Sequence, residues 1–327
     1  MRKLFLLVVL ACIVAAGYVW WVPAGPNTET FTEIHPGSST AKIAAALKQQ
    51  GLIHSKWAFV IFHLAKGGTL KAGEYRFDHP VRMAEIYDRM RRGDVYTLAL
   101  TIREGANIFD IATKVEEAHL GTREAFLLAA KQNVALISDL DPNAESLEGY
   151  LFPDTYYFQR KVAPTEMLTA MVKRFRHVAA QLGITQDCHR VVTLASLIEK
   201  ETPIAEERPL VASVFENRQA KDMPLMTDPS VIYAALLDGR YRGTIYQSDL
   251  QTDSTYNTYK HTGLPPGPIS NPGVASLKAA LHPAQTNFLY FVAASANPSG
   301  RSKFSTTLEE HQQNVQAYRR AMRAVTK

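Results

Sequence analysis

Between Leu4 and Val22 the chain reads LFLLVVLACIVAAGYVWWV, an apolar run that carries no charge. A bilayer core takes about 20 apolar residues in a helix, so the run predicts a membrane-spanning segment. Arg2 and Lys3 precede it, and Tyr18, Trp20 and Trp21 close it. Positive charge stays on the cytoplasmic side and aromatic rings favour the water interface. Residues 1–3 are therefore expected in the cytoplasm, residues 4–22 in the membrane, and everything beyond outside the cytoplasm. Two other uses of such a segment fit less well. A cleaved signal peptide has a shorter apolar core ahead of small residues; here the apolar run continues through Ala15 and Ala16. Val9-Leu10-Ala11-Cys12 has the form of a lipoprotein box, yet the residues after Cys12 stay apolar where a tether would be polar.

After this run the spacing of apolar positions shortens. Residues 23–29, with Pro23, Gly25 and Pro26, read as a linker. Phe31 to Ile34 predicts a short strand, Pro36-Gly37 a turn, and Ile43, Ala44 and Leu47 the inner face of a helix. The same order returns with Leu98 to Ile102, Glu104-Gly105, and Ile108, Ile111, Ala112 and Val115. Ile34, Gly37, Ile43 and Ala44 align with Ile102, Gly105, Ile111 and Ala112. Two copies fall short of a solenoid, so this is a strand–turn–helix unit used twice. Between the copies, Trp57 to Leu64 and Met83 to Arg91 read as helices, and Ala72 to Phe77 alternates like a strand.

The chain thus divides into a small module over residues 30–97 and a helix-rich domain over 98–327, an α+β fold. In the larger part, Val191 to Thr202 is a helix ended by Pro203, which disfavours helical backbone at Thr202. Asp228-Pro229 and Asn271-Pro272 both have the form of a helix cap followed by proline. Phe288 to Ala293 suits a buried strand, and Thr306 to Glu309 a capping box.

Composition narrows the function classes. With 46% hydrophobic and 20% charged residues the chain is ordinary for a folded protein. Of its two cysteines, Cys12 lies in the apolar run and Cys188 stands alone, which excludes an internal disulfide and any cysteine-rich metal site. The net charge of +5 comes from scattered Lys and Arg, without the clustering that nucleic acid requires. Such a field suits anionic lipid or an anionic wall polymer instead. H-E-x-x-H, G-x-S-x-G and phosphate-loop motifs are absent, and the ten histidines show no metal-ligand spacing. No metal and no cofactor is expected.

Carboxylates, aromatics and turn residues concentrate in four places: Glu148-Gly-Tyr-Leu-Phe-Pro-Asp-Thr-Tyr-Tyr157, Ser196-Leu-Ile-Glu199-Lys-Glu201-Thr202, Met226-Thr-Asp228-Pro, and Tyr256-Asn-Thr-Tyr259 running on to Gly263-Leu-Pro-Pro-Gly-Pro-Ile269. On the helix carrying the second, Val191, Leu194, Ala195 and Ile198 share a face that Glu201 borders, while Lys200 points away and Glu199 takes the opposite margin. Helical angle alone leaves the two glutamates undecided. A carboxyl in the last turn of a helix faces the negative end of the helix dipole, and burial acts the same way. Both would raise the pKa of Glu201 and suit it to act as a general acid.

These four segments, in this order and spacing, resemble the YceG-like family of endolytic murein transglycosylases. The resemblance runs over the apolar anchor, the small module and the catalytic region. It implies cleavage of peptidoglycan between N-acetylmuramic acid and N-acetylglucosamine with a 1,6-anhydro end. Peptidoglycan strands are the implied substrate and the synthases of those strands the implied neighbours. A Glu followed by Thr resembles the catalytic position of lytic transglycosylases and favours Glu201, with Glu199 as runner-up. Glu148, Asp154, Thr155, Thr227, Asp228, Tyr256, Asn257 and Tyr259 are the candidates for substrate binding, each with a plain structural alternative as a cap, turn or packing residue. The module over 30–97 resembles the LysM-like module of some cell-wall proteins, which implies contact with glycan.

Two other functions remain open to the sequence. A muramidase giving reducing ends would need a second carboxylate near Glu201, with Glu148, Asp228 and Asp253 as candidates. A non-catalytic wall-binding scaffold would need none.

Overall fold

The apolar run at the start of the chain coils into α1 (Arg2–Trp21). The structure, a computed structural model, describes residues 2–295, 297 and 300–325. The expected span includes Leu4, Val8, Cys12 and Ile13, whose side chains lie outside the described set; Phe5, Leu6, Leu7, Leu10 and Val14 are exposed. Among the described residues no helix is long and apolar enough to cross a membrane. The last turn of α1 packs against residues further along the chain. Trp20 meets Phe62 edge-on with ring centroids 5.2 Å apart, and Tyr18 lies 4.7 Å from His54. Ala24 then exchanges two backbone hydrogen bonds of 2.9 Å with Val81.

Contacts divide the chain into two units, Met1–Leu98 with Tyr157–Arg160, and Ala99–Tyr156 with Lys161–Lys327. In the first, β1 (Thr30–Ile34) runs antiparallel to β2 (Gly73–Phe77), with Thr30 opposite Phe77. The unit also holds α2 (Thr40–Gln49), α3 (Lys56–Lys66) and α4 (Met83–Arg92). Ser39 and Ser55 cap α2 and α3, their hydroxyls accepting from the Lys42 and Ala58 amides at 3.3 Å. The face of α2 expected inside is inside: Ile43, Ala44 and Leu47 join Phe59, Tyr75, Phe77 and Tyr87 in one core.

The second unit begins with the repeat of that strand–turn–helix unit, β3 (Leu98–Thr101) and α5 (Ile108–Glu117). Gly37 and Gly105 occupy equivalent turns, both with φ of 76°, where a side chain would be strained. Asn107 and Asp110 form a reciprocal cap at the start of α5. Then come α6 (Arg123–Gln132), β4 (Thr155–Phe158), which pairs with β3, and α7 (Pro164–Leu182). The central helix α8 (Cys188–Glu201) is followed by α9 (Arg208–Gln219), α10 (Asp228–Leu237), the short α11 (Gln247–Leu250) and α12 (Val274–Leu281). The hairpin of β5 (Tyr290–Ala293) and β6 (Ser302–Ser305) and a last helix, α13 (Leu308–Val325), complete the α+β fold.

Three local expectations shift. Helix α8 is not amphipathic: every residue from Val191 to Ile198 is buried, because α9, α10 and α12 pack around it. Asn271-Pro272 caps no helix; α12 starts at Val274 behind Gly273, and the Asn271 side chain is used elsewhere. The last capping box sits one residue later, the Glu310 amide donating to Thr307 Oγ1 at 3.2 Å and the Thr306 amide to Glu310 Oε2 at 3.1 Å.

Candidate active site

Glu201 is the final residue of α8, and Thr202 behind it is extended, as Pro203 requires. Thr202 is buried and anchors the turn: the Ile204 amide donates to its hydroxyl at 3.2 Å. The hydroxyl in turn faces Glu207 Oε2 at 3.4 Å, while Glu207 Oε1 accepts from the Ser302 amide at 2.7 Å. The residue after Glu201 thus ties the helix end to the β5–β6 hairpin. Among the described residues, nothing hydrogen-bonds or pairs with the half-buried Glu201 carboxyl itself.

Burial, first, and the negative charge of Asp228, second, push the Glu201 carboxyl up from 4.5 to about 7, while the Arg218 guanidinium opposes them. Asp228 is the first residue of α10, with Thr227 as cap residue. The Tyr259 hydroxyl donates to Asp228 Oδ1 at 2.7 Å, and burial and that carboxylate hold the phenol well above its usual range. The 254–259 loop is fixed to α10 through Thr258. Its Oγ1 accepts from the Thr227 amide at 3.0 Å and lies 2.8 Å from Ser230 Oγ, and its carbonyl accepts from the Met226 amide at 3.0 Å. Met226 is held at a φ of 49°, an uncommon conformation for a long side chain, with that side chain exposed beside Asp228.

Arg218 was not among the sequence candidates. Its Nε donates to the Leu289 carbonyl and its Nη1 to the Leu225 carbonyl, both at 2.7 Å, and it lies 5.4 Å from the centre of the Tyr290 ring. Tyr290 stacks on His311 at 5.1 Å, and burial followed by the charge of Arg218 keeps His311 below its ordinary value. No local pattern marks Arg218, Tyr290 or His311; α9, β5 and α13 meet only in the folded chain. Arg218 and Asp228 bias Glu201 in opposite directions. Asp228→Asn removes the second of the two influences that raise it and leaves burial in place, so the Glu201 pKa falls. The pH at which kcat/KM drops on the alkaline side then moves down, which a pH–rate profile beside wild type reads.

Glu199 faces a different environment. Its Oε1 accepts from Arg208 Nη2 at 2.8 Å and its Oε2 from the Gly273 amide at 3.0 Å, with both side chains buried. This ion pair fastens α8 to α9 and to the start of α12. Lys200 donates to the Gly105 carbonyl at 3.1 Å. The runner-up Glu199 is thus held by Arg208 and the Gly273 amide, and Lys200 by the Gly105 carbonyl.

The remaining candidates have other settings. Glu148 is fully buried: its Oε2 accepts from the Ile108 amide and its Oε1 from Asn271 Nδ2, both at 2.8 Å. Desolvation pushes its carboxyl to about 8. Asn271 also accepts from the Leu151 amide at 2.8 Å and donates to the Ala106 carbonyl at 2.9 Å, so these two residues lock three segments together. Tyr256 belongs to this side, its ring 5.1 Å from that of Tyr233, which itself bonds Glu148. Asn257 is buried, donating to the Leu250 and Thr252 carbonyls at 3.0 and 2.8 Å and accepting from the Tyr259 amide at 3.0 Å. Asp154 takes Arg174 Nε at 2.7 Å and the Thr155 amide at 2.8 Å, and Thr155 Oγ1 lies 2.9 Å from Thr101 Oγ1. Asp253 pairs with exposed His261 at 3.0 Å. Asp228 and Tyr259 therefore stand with Glu201, Thr227 holds the backbone under Asp228, and Glu148, Asp154, Thr155, Tyr256 and Asn257 hold other segments.

A protonatable carboxyl at a helix end, unpaired among the described residues and flanked by an opposing cation and anion, is the arrangement that acid–base chemistry uses. The sequence profile of the YceG-like family matches residues 32–317, and the chain belongs to that family. It is 34% identical over 320 residues to a Bacillus subtilis protein named endolytic murein transglycosylase, covering 90% of this chain and 87% of that one. A Streptococcus pneumoniae protein of the same name is 30% identical over 355 residues, covering 94% of this chain and 63% of its own length. Among solved structures, a YceG-like protein of Listeria monocytogenes is 34% identical with a TM-score of 0.57, covering 87% of this chain and 98% of that one.

Proposed function

We propose that this chain is a lytic transglycosylase that cuts peptidoglycan strands internally, with Glu201 as the single acid–base group. The observation that carries the reading is the Glu201 carboxyl, without a hydrogen-bond partner among the described residues and raised to about 7, where it can both give and take a proton at neutral pH. Protonated Glu201 donates to the glycosidic oxygen, and the bond to the anomeric carbon of N-acetylmuramic acid breaks as an oxocarbenium-like sugar forms. The sugar's own C6 hydroxyl then attacks that carbon, and Glu201, now a carboxylate, takes the hydroxyl proton. The nucleophile is part of the substrate, so no second carboxylate has to activate water. The names of the Bacillus and Streptococcus relatives support the same reaction.

The nearness of Asp228 to Glu201 favours one second reading, a muramidase in which Asp228 activates water. Purified sacculi digested with the protein separate the two by mass spectrometry. We expect anhydro-muramic ends; reducing ends alone would transfer the chain to the hydrolases.

The reading includes a place in the cell. Charge-free Leu4–Val22 behind Arg2 and Lys3, with exposed apolar side chains on α1, supports a single-pass anchor in the cytoplasmic membrane. Residues 1–3 would then be cytoplasmic and the catalytic region extracytoplasmic, beside the synthases that supply new strands. The 30–97 region would be a LysM-like module that holds glycan.

A further inference from the structure

Helix α3 has a second apolar face that the core of its unit does not use. Trp57, Ile61 and Leu64 are 66%, 59% and 77% exposed. At spacings of four and three residues they form one stripe along the helix, opposite the fully buried Phe59. The charged and titratable residues of α3 are Lys56, His63 and Lys66, and the helix carries no carboxylate. Lys56 Nζ lies 5.1 Å from the centre of the Trp57 ring. A helix with an outward tryptophan, two aliphatic side chains and lysines at its ends has the make-up of one lying in a membrane interface.

Its position in the unit adds to this. Phe62, on the flank of α3 between the buried and exposed faces, is the residue against which Trp20 of α1 packs. The chain leaves α1 directly into the Ala24–Val81 bridge, so the end of the apolar helix is fastened beside α3. Trp21, 69% exposed, lies under the Arg82 guanidinium at 5.6 Å, a second aromatic–cation pair, at the end of α1.

We infer that the Trp57–Ile61–Leu64 face of α3 rests in the headgroup region of an anionic phospholipid bilayer, with Lys56 at a lipid phosphate. The inference rests on α1 being the membrane anchor and adds to it that the 30–97 module lies against the surface. A second copy of the chain, or a glycan, is the rival occupant of the stripe.

The test uses the full chain in vesicles of phosphatidylethanolamine and phosphatidylglycerol, with two single-tryptophan variants. Trp20→Phe with Trp21→Phe leaves Trp57 as reporter, and Trp20→Phe with Trp57→Phe leaves Trp21. An interfacial helix sits about 5–10 Å into the boundary, so lipid brominated near the headgroup end of its chains is the matching quencher. We expect that lipid to quench both reporters and to protect Trp57 from aqueous acrylamide. Quenching of Trp21 with Trp57 unaffected would overturn the inference while leaving the anchor in place. Trp57 shielded from acrylamide but untouched by brominated lipid would assign the stripe to a second copy or a glycan. Quenching of neither would remove the anchor reading and this one together.

Discussion

Glu201→Gln is expected to lose roughly 10²–10⁴-fold in kcat, the range that positioned proton transfer contributes. The amide matches the carboxyl in shape but can neither donate a labile acid proton to the glycosidic oxygen nor take one from the C6 hydroxyl. The substitution leaves the fold standing, because the carboxyl holds no hydrogen bond among the described residues. It should also raise stability above pH 7. Glu201 is pushed from 4.5 to about 7 in the folded chain, so the folded state keeps a proton that the unfolded state has already lost. The contribution of Glu201 to stability is full below 4.5 and is lost as pH rises through 7; the amide removes that slope. Release of anhydro-muramic fragments from sacculi and urea melts at pH 6 and 8 measure the two effects. Wild-type cleavage by Glu201→Gln would sink the assignment.

Glu148→Ala is expected to do the reverse: to cost stability without touching the chemistry of the molecules that fold. It strands the Ile108 amide and the Asn271 side-chain amide in a fully buried place and leaves a cavity behind them. Unpaired buried donors cost about 1–3 kcal/mol each, so with the cavity the loss should reach about 3–5 kcal/mol. The wild-type group also carries a pH signature. Its folded value of about 8 lies above the ordinary 4.5, so its contribution is present below 4.5 and fades as pH rises through 8. Urea midpoints across that range, with cleavage rate per folded molecule, check the assignment. An unchanged midpoint with lost cleavage would make Glu148 a substrate contact instead.

The contrast between these two glutamates shows what could be read from the chain. Both lie in segments rich in carboxylates, and spacing cannot tell them apart. Periodicity located the elements well where each has one buried face: Ile43, Ala44 and Leu47 on α2, and Ile108, Ile111, Ala112 and Val115 on α5, are inside as expected. It misled on α8, whose whole middle is buried, because a helix surrounded by others carries no polar stripe for the period to reveal. Asn271 has a cap's sequence and a lock's geometry. Asn-Pro satisfies a local rule, but the partners that claim its side chain, Leu151, Ala106 and Glu148, come from distant parts of the chain.

The same division applies to the site. The sequence by itself determined the α+β make-up, the apolar run before the module, the end of α8 at Pro203, and Glu201 as the favoured acid through its family resemblance. Each is a matter of local backbone preference, periodicity or a contiguous motif. The tertiary structure alone decided the surroundings of Glu201. Arg208 pairs with Glu199, Asp228 and Arg218 set opposing charges around Glu201, and Tyr259 holds Asp228 in place. Charge acts through space and desolvation depends on what covers a group, so a carboxyl's pKa belongs to the fold and not to the segment that carries it.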